Sequence, residues 1–165
     1  MLFRSGERQS CASCHAAASG TVDAGRAFSL GVDGLPGKRN AMPLYNLAWK
    51  SEFFWDGRAP SLRQQALMPI QDELEMHETL ANVVEKLRAT GSSRSEKVAS
   101  RESRVGSAVE SSTNYPALFA AAFGTPEISA ERVGLALEQF LLTLTSFDAK
   151  FDRVMRGEGN FTEQE

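Results

Sequence analysis

The sequence predicts an all-α domain with long loops. Apolar residues recur at helical spacing in several segments that carry capping residues, and strand-like alternation is nearly absent. Residues 19–43 form a stretch in which Gly20, Gly25, Gly31, Gly34, Pro36 and Gly37 interrupt any regular element. A loop of that length in a compact domain is usually functional or wrapped around something. The 165 residues suit one domain, and 42% hydrophobic content is enough to bury a core. A formal net charge of −3, with no Lys/Arg cluster interleaved with aromatics, argues against nucleic-acid binding. No apolar run, 140–144 included, approaches the length needed to span a bilayer.

The elements follow in order. Residues 10–18 read as a short helix carrying the two cysteines. Ser61 can cap a helix running to about Leu67, where Pro69 is expected to break it. Leu80, Val83, Val84 and Leu87 make an i, i+3, i+4, i+7 stripe, so 79–89 reads as an amphipathic helix. Residues 91–112, rich in Ser, Arg and Glu, read as a polar insertion. Pro116 fits the first turn of a helix that ends at Gly124. Ser129 caps the longest helix, whose apolar face is read as Val133, Leu137, Phe140, Leu141 and Leu144. A last short helix covers 149–156.

Cys11-Ala12-Ser13-Cys14-His15 carries the most specific chemistry. Two thiols about one helical turn apart can reach the two vinyl groups on one porphyrin edge, and the following histidine can ligate the iron. This predicts one covalent haem c held by Cys11, Cys14 and His15. The second ring nitrogen of His15 then needs an acceptor to fix the ring. Two other readings remain at this point. A zinc ion could draw on Cys11, Cys14, His15 and His77, although adjacent ligands rarely reach one tetrahedral ion. A dithiol redox pair is the other, although the βαβ context of thioredoxin-like proteins is missing.

Beyond that motif the chain resembles the bacterial diheme cytochrome c peroxidase family, which includes the related tryptophylquinone-forming diheme enzymes. The resemblance rests on Ser10 to His15, Arg39-Asn40-x-x-Pro43, and Phe54-Trp55-Asp56-Gly57-Arg58-Ala59. It continues through Ser61-Leu62, Gln65-Ala66, Pro69-Ile70 and Glu75-Met76, then Tyr115-Pro116-x-Leu118-Phe119-x-x-Ala122-Phe123-Gly124, Ala136-Leu137-x-x-Phe140 and Phe151-Asp152. It implies a cytochrome c-like helical haem domain over 1–160. Residues 161–165 look like the start of a linker to a second haem domain absent from this chain, which has one attachment motif where the family has two.

The resemblance also implies roles. The family reduces hydrogen peroxide to water with electrons from a small cytochrome c or cupredoxin. Glu75 matches the carboxylate that shuttles a proton, and Gln65 a distal amide that hydrogen-bonds the bound oxygen or a water. Read without the family, Glu75 is a surface residue of an acidic run and Gln65 a helix-surface glutamine. Trp55 matches an aromatic relay between haems and otherwise reads as a core tryptophan. Arg58 could pair with a haem propionate or with Asp56. Asn40 matches an interdomain calcium ligand, though one carbonyl does not make a site for a hard cation. His77 reads as an exposed loop residue. The 19–43 loop has no histidine, so the distal face is not expected to be gated by one. The family works in the periplasm, whereas residues 1–7 lack the apolar core of a secretory signal; an export signal is expected upstream of Met1 in the full gene. The competing functions are an electron carrier with His15 and one of Met42, Met68 or Met76 as axial ligands, and an inactive fragment.

Overall fold

The computed structural model describes residues 9–90 and 113–165, and within them the chain is helical with no strand. The helices are α1 (Cys11–Cys14), α2 (Leu62–Gln71), α3 (Leu80–Ala89), α4 (Tyr115–Phe123), α5 (Ala130–Leu142) and α6 (Lys150–Met155). Single 3-10 turns lie at Ala17–Ser19 and Leu47–Trp49. The polar insertion expected at 91–112 lies outside the described residues.

Local chemistry explains most boundaries. The side chains of Ser61, Thr79, Asn114 and Ser129 each accept a backbone N–H from the first turn of the helix they precede. Gly124 ends α4 at φ +78°, a left-handed conformation that costs glycine nothing.

Two expectations need correction. Pro69 does not break its helix: α2 runs on to Gln71 with the proline inside. The missing N–H removes one bond, but the carbonyls around it are used by the following loop. Asp72 N–H donates to Met68 (3.0 Å), Met76 N–H to Pro69 (3.2 Å) and Glu78 N–H to Ile70 (2.9 Å). Burial of Ile70 in the core adds to what holds this last turn in place. The second correction concerns α5, where Phe140 is 60% exposed; Leu144, just past the helix end, does pack, against the second apolar cluster. The buried face is Val133, Gly134 and Leu141.

Two apolar clusters form, and α2 and α5 contribute to both. One gathers Ile70, Met76, Val83, Val84, Leu87, Phe119, Ile128 and Val133. The other gathers Leu47, Phe53, Ala59, Leu62 and Leu141. Gly134 lets α2 and α5 approach closely: a Cβ there would sit 3.0 Å from Arg63 Cγ and 3.1 Å from a Leu67 methyl. Arg63 then donates from Nε (3.2 Å) and Nη2 (3.0 Å) to Glu138 Oε2 across the same pair. No helix among the described residues is long and apolar enough to cross a membrane.

Candidate functional site

The loops enclose a cavity of about 760 Å³ between α1, the 29–42 loop, the 54–58 turn and α2 with its following loop. Cys14, His15, Asn40, Trp55, Arg58, Gln65 and Glu75 all border it. Residues far apart in sequence, singled out on motif grounds, thus share one space. Cys11 is the exception; it is exposed on α1 and does not line the cavity.

α1 is set by its own backbone. Ser10 N–H donates to Ser13 Oγ at 3.1 Å, and His15 N–H to Cys11 O at 3.0 Å. His15 Nδ1 stands 2.9 Å from the carbonyl oxygen of Thr21. A carbonyl only accepts, so Nδ1 carries the ring proton and Nε2 is left with its lone pair free to ligate a metal. The acceptor expected from the sequence is therefore a main-chain oxygen. Thr21 presents it from a left-handed conformation, φ +61°, and its hydroxyl accepts Leu44 N–H at 2.7 Å. Burial pushes the Cys14 thiol up, hydrogen bonding from Ser29 and Gln9 opposes this, and the charges of Glu75 and Asp23 add to the rise.

The Trp-Asp-Gly-Arg segment is a tight turn closed by Phe53 and Ala59, whose backbones exchange bonds of 2.9 and 3.3 Å. Inside it Phe54 and Gly57 both have positive φ, +67° and +68°. Asp56 accepts from Arg58 (3.0 Å) and pairs with Arg39 (3.0 Å), and the Arg58 guanidinium lies 3.5 Å over the Phe54 ring. Trp55 is 59% exposed rather than a core tryptophan, and its indole N–H donates to Asn40 O at 2.9 Å. The Asn40 side-chain amide donates to Arg26 O at 3.2 Å.

Gln65, on α2, is 7% exposed and is no surface glutamine. Glu75 is half-buried in the loop between α2 and α3. Burial raises its carboxyl above the usual range, nearby Asp72 adds to the rise, and Arg58 opposes it. Its loop is built on Asp72, which accepts Leu74 N–H on its side chain (2.8 Å) and the N–H groups of Glu75 (3.1 Å) and His77 (3.0 Å) on its carbonyl. His77 is exposed, at φ +47°, with Nδ1 3.5 Å from Asp33. Among the described residues no three His, Cys, Asp or Glu side chains converge as a metal-ion site. Met42 borders the cavity, whereas Met76 belongs to the core and Met68 is exposed and off the cavity.

Sequence reasoning missed Gln9, Val32 and Arg39. Gln9 is buried and donates from Nε2 to Leu30 O at 2.7 Å, with Cys14 Sγ 3.6 Å away. Val32 N–H donates to Glu75 O at 2.7 Å. Backbone bonds such as the last leave no side-chain signature to find.

The residues present fit a haem. Cys14, with Cys11 one helical turn away on α1, and a histidine with one nitrogen free stand at a cavity within the range of about 300–1,000 Å³ typical of cofactor sites. Fold and site define a cytochrome c-like domain. A family model described as di-haem cytochrome c peroxidase matches residues 4–160, and the chain belongs to that family. It is 39% identical to a methylamine utilization protein MauG of Methylorubrum extorquens, over 95% of this chain and 38% of that protein. It is 34% identical to the cytochrome c peroxidase Ccp of Escherichia coli, over 92% and 28%. With the cytochrome c551 peroxidase of Nitrosomonas europaea the figures are 31%, 94% and 40%. The chain thus spans two fifths or less of the length of these curated relatives. A solved MauG-like protein associated with microbial copper homeostasis superposes with a TM-score of 0.75 and 27% identity, covering 98% of this chain and 42% of that one.

Proposed function

We propose that this chain is a peroxidatic haem domain that reduces hydrogen peroxide to water with electrons from a small cytochrome c or cupredoxin. The observation that supports it most is the shared cavity: the attachment cysteine, the ligating histidine, a buried amide and a carboxyl of raised pKa all border one space. One haem c is held through thioethers to Cys11 and Cys14 and by His15 Nε2, and supplies the redox-active iron. Thr21 O holds the His15 ring in one orientation and makes it a stronger donor.

Reduction of hydrogen peroxide to two waters consumes two electrons and two protons, and one proton must move between the peroxide oxygens for the first water to leave. Glu75 takes the proton from one oxygen and delivers it to the other. Its raised pKa makes the Glu75 carboxylate a stronger base toward that proton than an exposed glutamate would be. Gln65 orients the peroxide by hydrogen bonding. Trp55, exposed at the cavity edge, would relay electrons arriving from a second haem in the remainder of a longer polypeptide. Arg58 and Arg39 offer positive charge to the haem carboxylates. Asn40 gives one oxygen ligand to a calcium ion completed by that remainder, and the protein works in the periplasm after export.

The test is expression with a cytochrome c maturation system. The expected result is one covalent haem on a denaturing gel, a high-spin ferric resting spectrum, and reaction with peroxide. A bare-polypeptide mass would overturn the haem assignment. A low-spin spectrum that turns high-spin in Met42→Ala would instead establish the electron-carrier reading, with Met42 as sixth ligand.

A further inference from the structure

Residues 29–37 form a small hairpin. Gly31 N–H donates to Leu35 O and Gly37 N–H to Ser29 O, both at 2.9 Å, with Leu30 and Pro36 facing each other. Its first arm touches both halves of the cavity. Leu30 O accepts from Gln9, the residue beside Cys14 and just before α1 (2.7 Å), and Val32 N–H donates to Glu75 O (2.7 Å). Between these anchors lies Gly31, where a Cβ would fall 2.0 Å from Leu74 O, 2.6 Å from Leu74 C and 2.9 Å from Glu75 O. Every one of those atoms is backbone, so no flexible side chain can yield. Gly31 is not among the residues of positive φ. Close approach alone, not conformation, demands glycine here.

We propose that this hairpin is a strut that sets the position of Glu75 relative to the haem-attachment helix, with Gly31 as the positioning residue that allows the contact. The inference rests on the reading of Glu75 as proton carrier. Gly31 borders the same cavity, but it has no side chain to offer it and acts through the Glu75 backbone. An alanine methyl must drive hairpin and loop apart, and a misplacement of about 1 Å at a reacting group costs on the order of 10²-fold.

The test compares four haem-loaded proteins: parent, Gly31→Ala, Glu75→Gln and the double variant. The rate of reaction of ferric protein with peroxide is measured by stopped flow, and amide hydrogen exchange by mass spectrometry. Gly31→Ala should keep the haem and resting spectrum, slow the peroxide step about 10²-fold, and raise exchange across residues 30–35. In the Glu75→Gln background it should slow nothing further, because both changes act on one group. Equal slowing in both backgrounds, or the parent's rate with unchanged exchange, overturns the proposal. Glu75→Gln at the parent's rate would instead remove the reading of Glu75 itself, a result seen in the single variant alone. Should Gly31→Ala not fold, Gln9→Met carries the same comparison from the other anchor. It keeps the apolar stem and deletes the amide on Leu30; the parent's rate in Gln9→Met then overturns the strut.

Discussion

Glu78 anchors the loop that carries Glu75, and its removal has a calculable effect. It is 8% exposed, and its carboxylate accepts Thr79 N–H and Asn82 Nδ2, each at 2.9 Å, and pairs with Lys86. Burial alone would raise its pKa, but these hydrogen bonds and the Lys86 charge outweigh burial and hold the carboxyl below the usual range. Glu78→Gln keeps the shape and deletes the charge. Hydrogen bonds to charged groups contribute about 1.5–3 kcal/mol, and Lys86, one quarter exposed on its side chain, recovers some hydration. A loss of about 2 kcal/mol is expected, or roughly 4–8 °C in Tm for a chain of this size. The pH dependence has a definite sign. A depressed folded pKa gives stability that is present above the unfolded carboxyl value and lost as pH falls through the folded one. Urea unfolding of the haem-loaded protein, followed at neutral and acidic pH, measures both. The gap between parent and variant should be full at neutral pH and narrow on acidification. Equal midpoints at neutral pH, or a gap that persists in acid, would refute the reasoning.

Three further outcomes follow from the same structure. The peroxide step should rise with pH through the raised pKa of Glu75, because the carboxylate form accepts the proton; stopped-flow rates against pH will show that limb above the ordinary glutamate range. Arg58→Gln removes the charge that opposes the rise and should move the limb to higher pH, a shift read in the same profile. Leu87→Ala, at a side chain 1% exposed in the larger core, should cost about 2–5 kcal/mol in the same urea assay.

Helices with their own start and stop chemistry were legible from sequence. Thr79, Ser129, Pro116 and Gly124 bound α3, α4 and α5 as expected. The end of α2 was not, because Pro69 is held inside the helix by loop amides that arrive from seven or eight residues on. The exposure of Phe140 was also hidden: its helical spacing to Val133 and Leu137 is right, yet α5 packs through Val133, Gly134, Leu137 and Leu141 and leaves Phe140 outside. The residues gathered at the cavity were legible because attachment, ligation and the Trp-Asp-Gly-Arg turn use distinctive side chains. What holds them was not. The partner of His15 is a carbonyl, the partner of Glu75 is an amide, and Gly31 matters for the atom it lacks.

The central claim, that Glu75 moves the proton in a haem site built on His15, is tested most directly by one rate. Ferric haem-loaded protein is mixed with hydrogen peroxide in a stopped-flow instrument, with Glu75→Gln beside the parent and their resting spectra matched. Loss of a positioned acid–base group should slow the variant by about 10²–10⁴-fold. Reaction at the parent's rate would contradict the account.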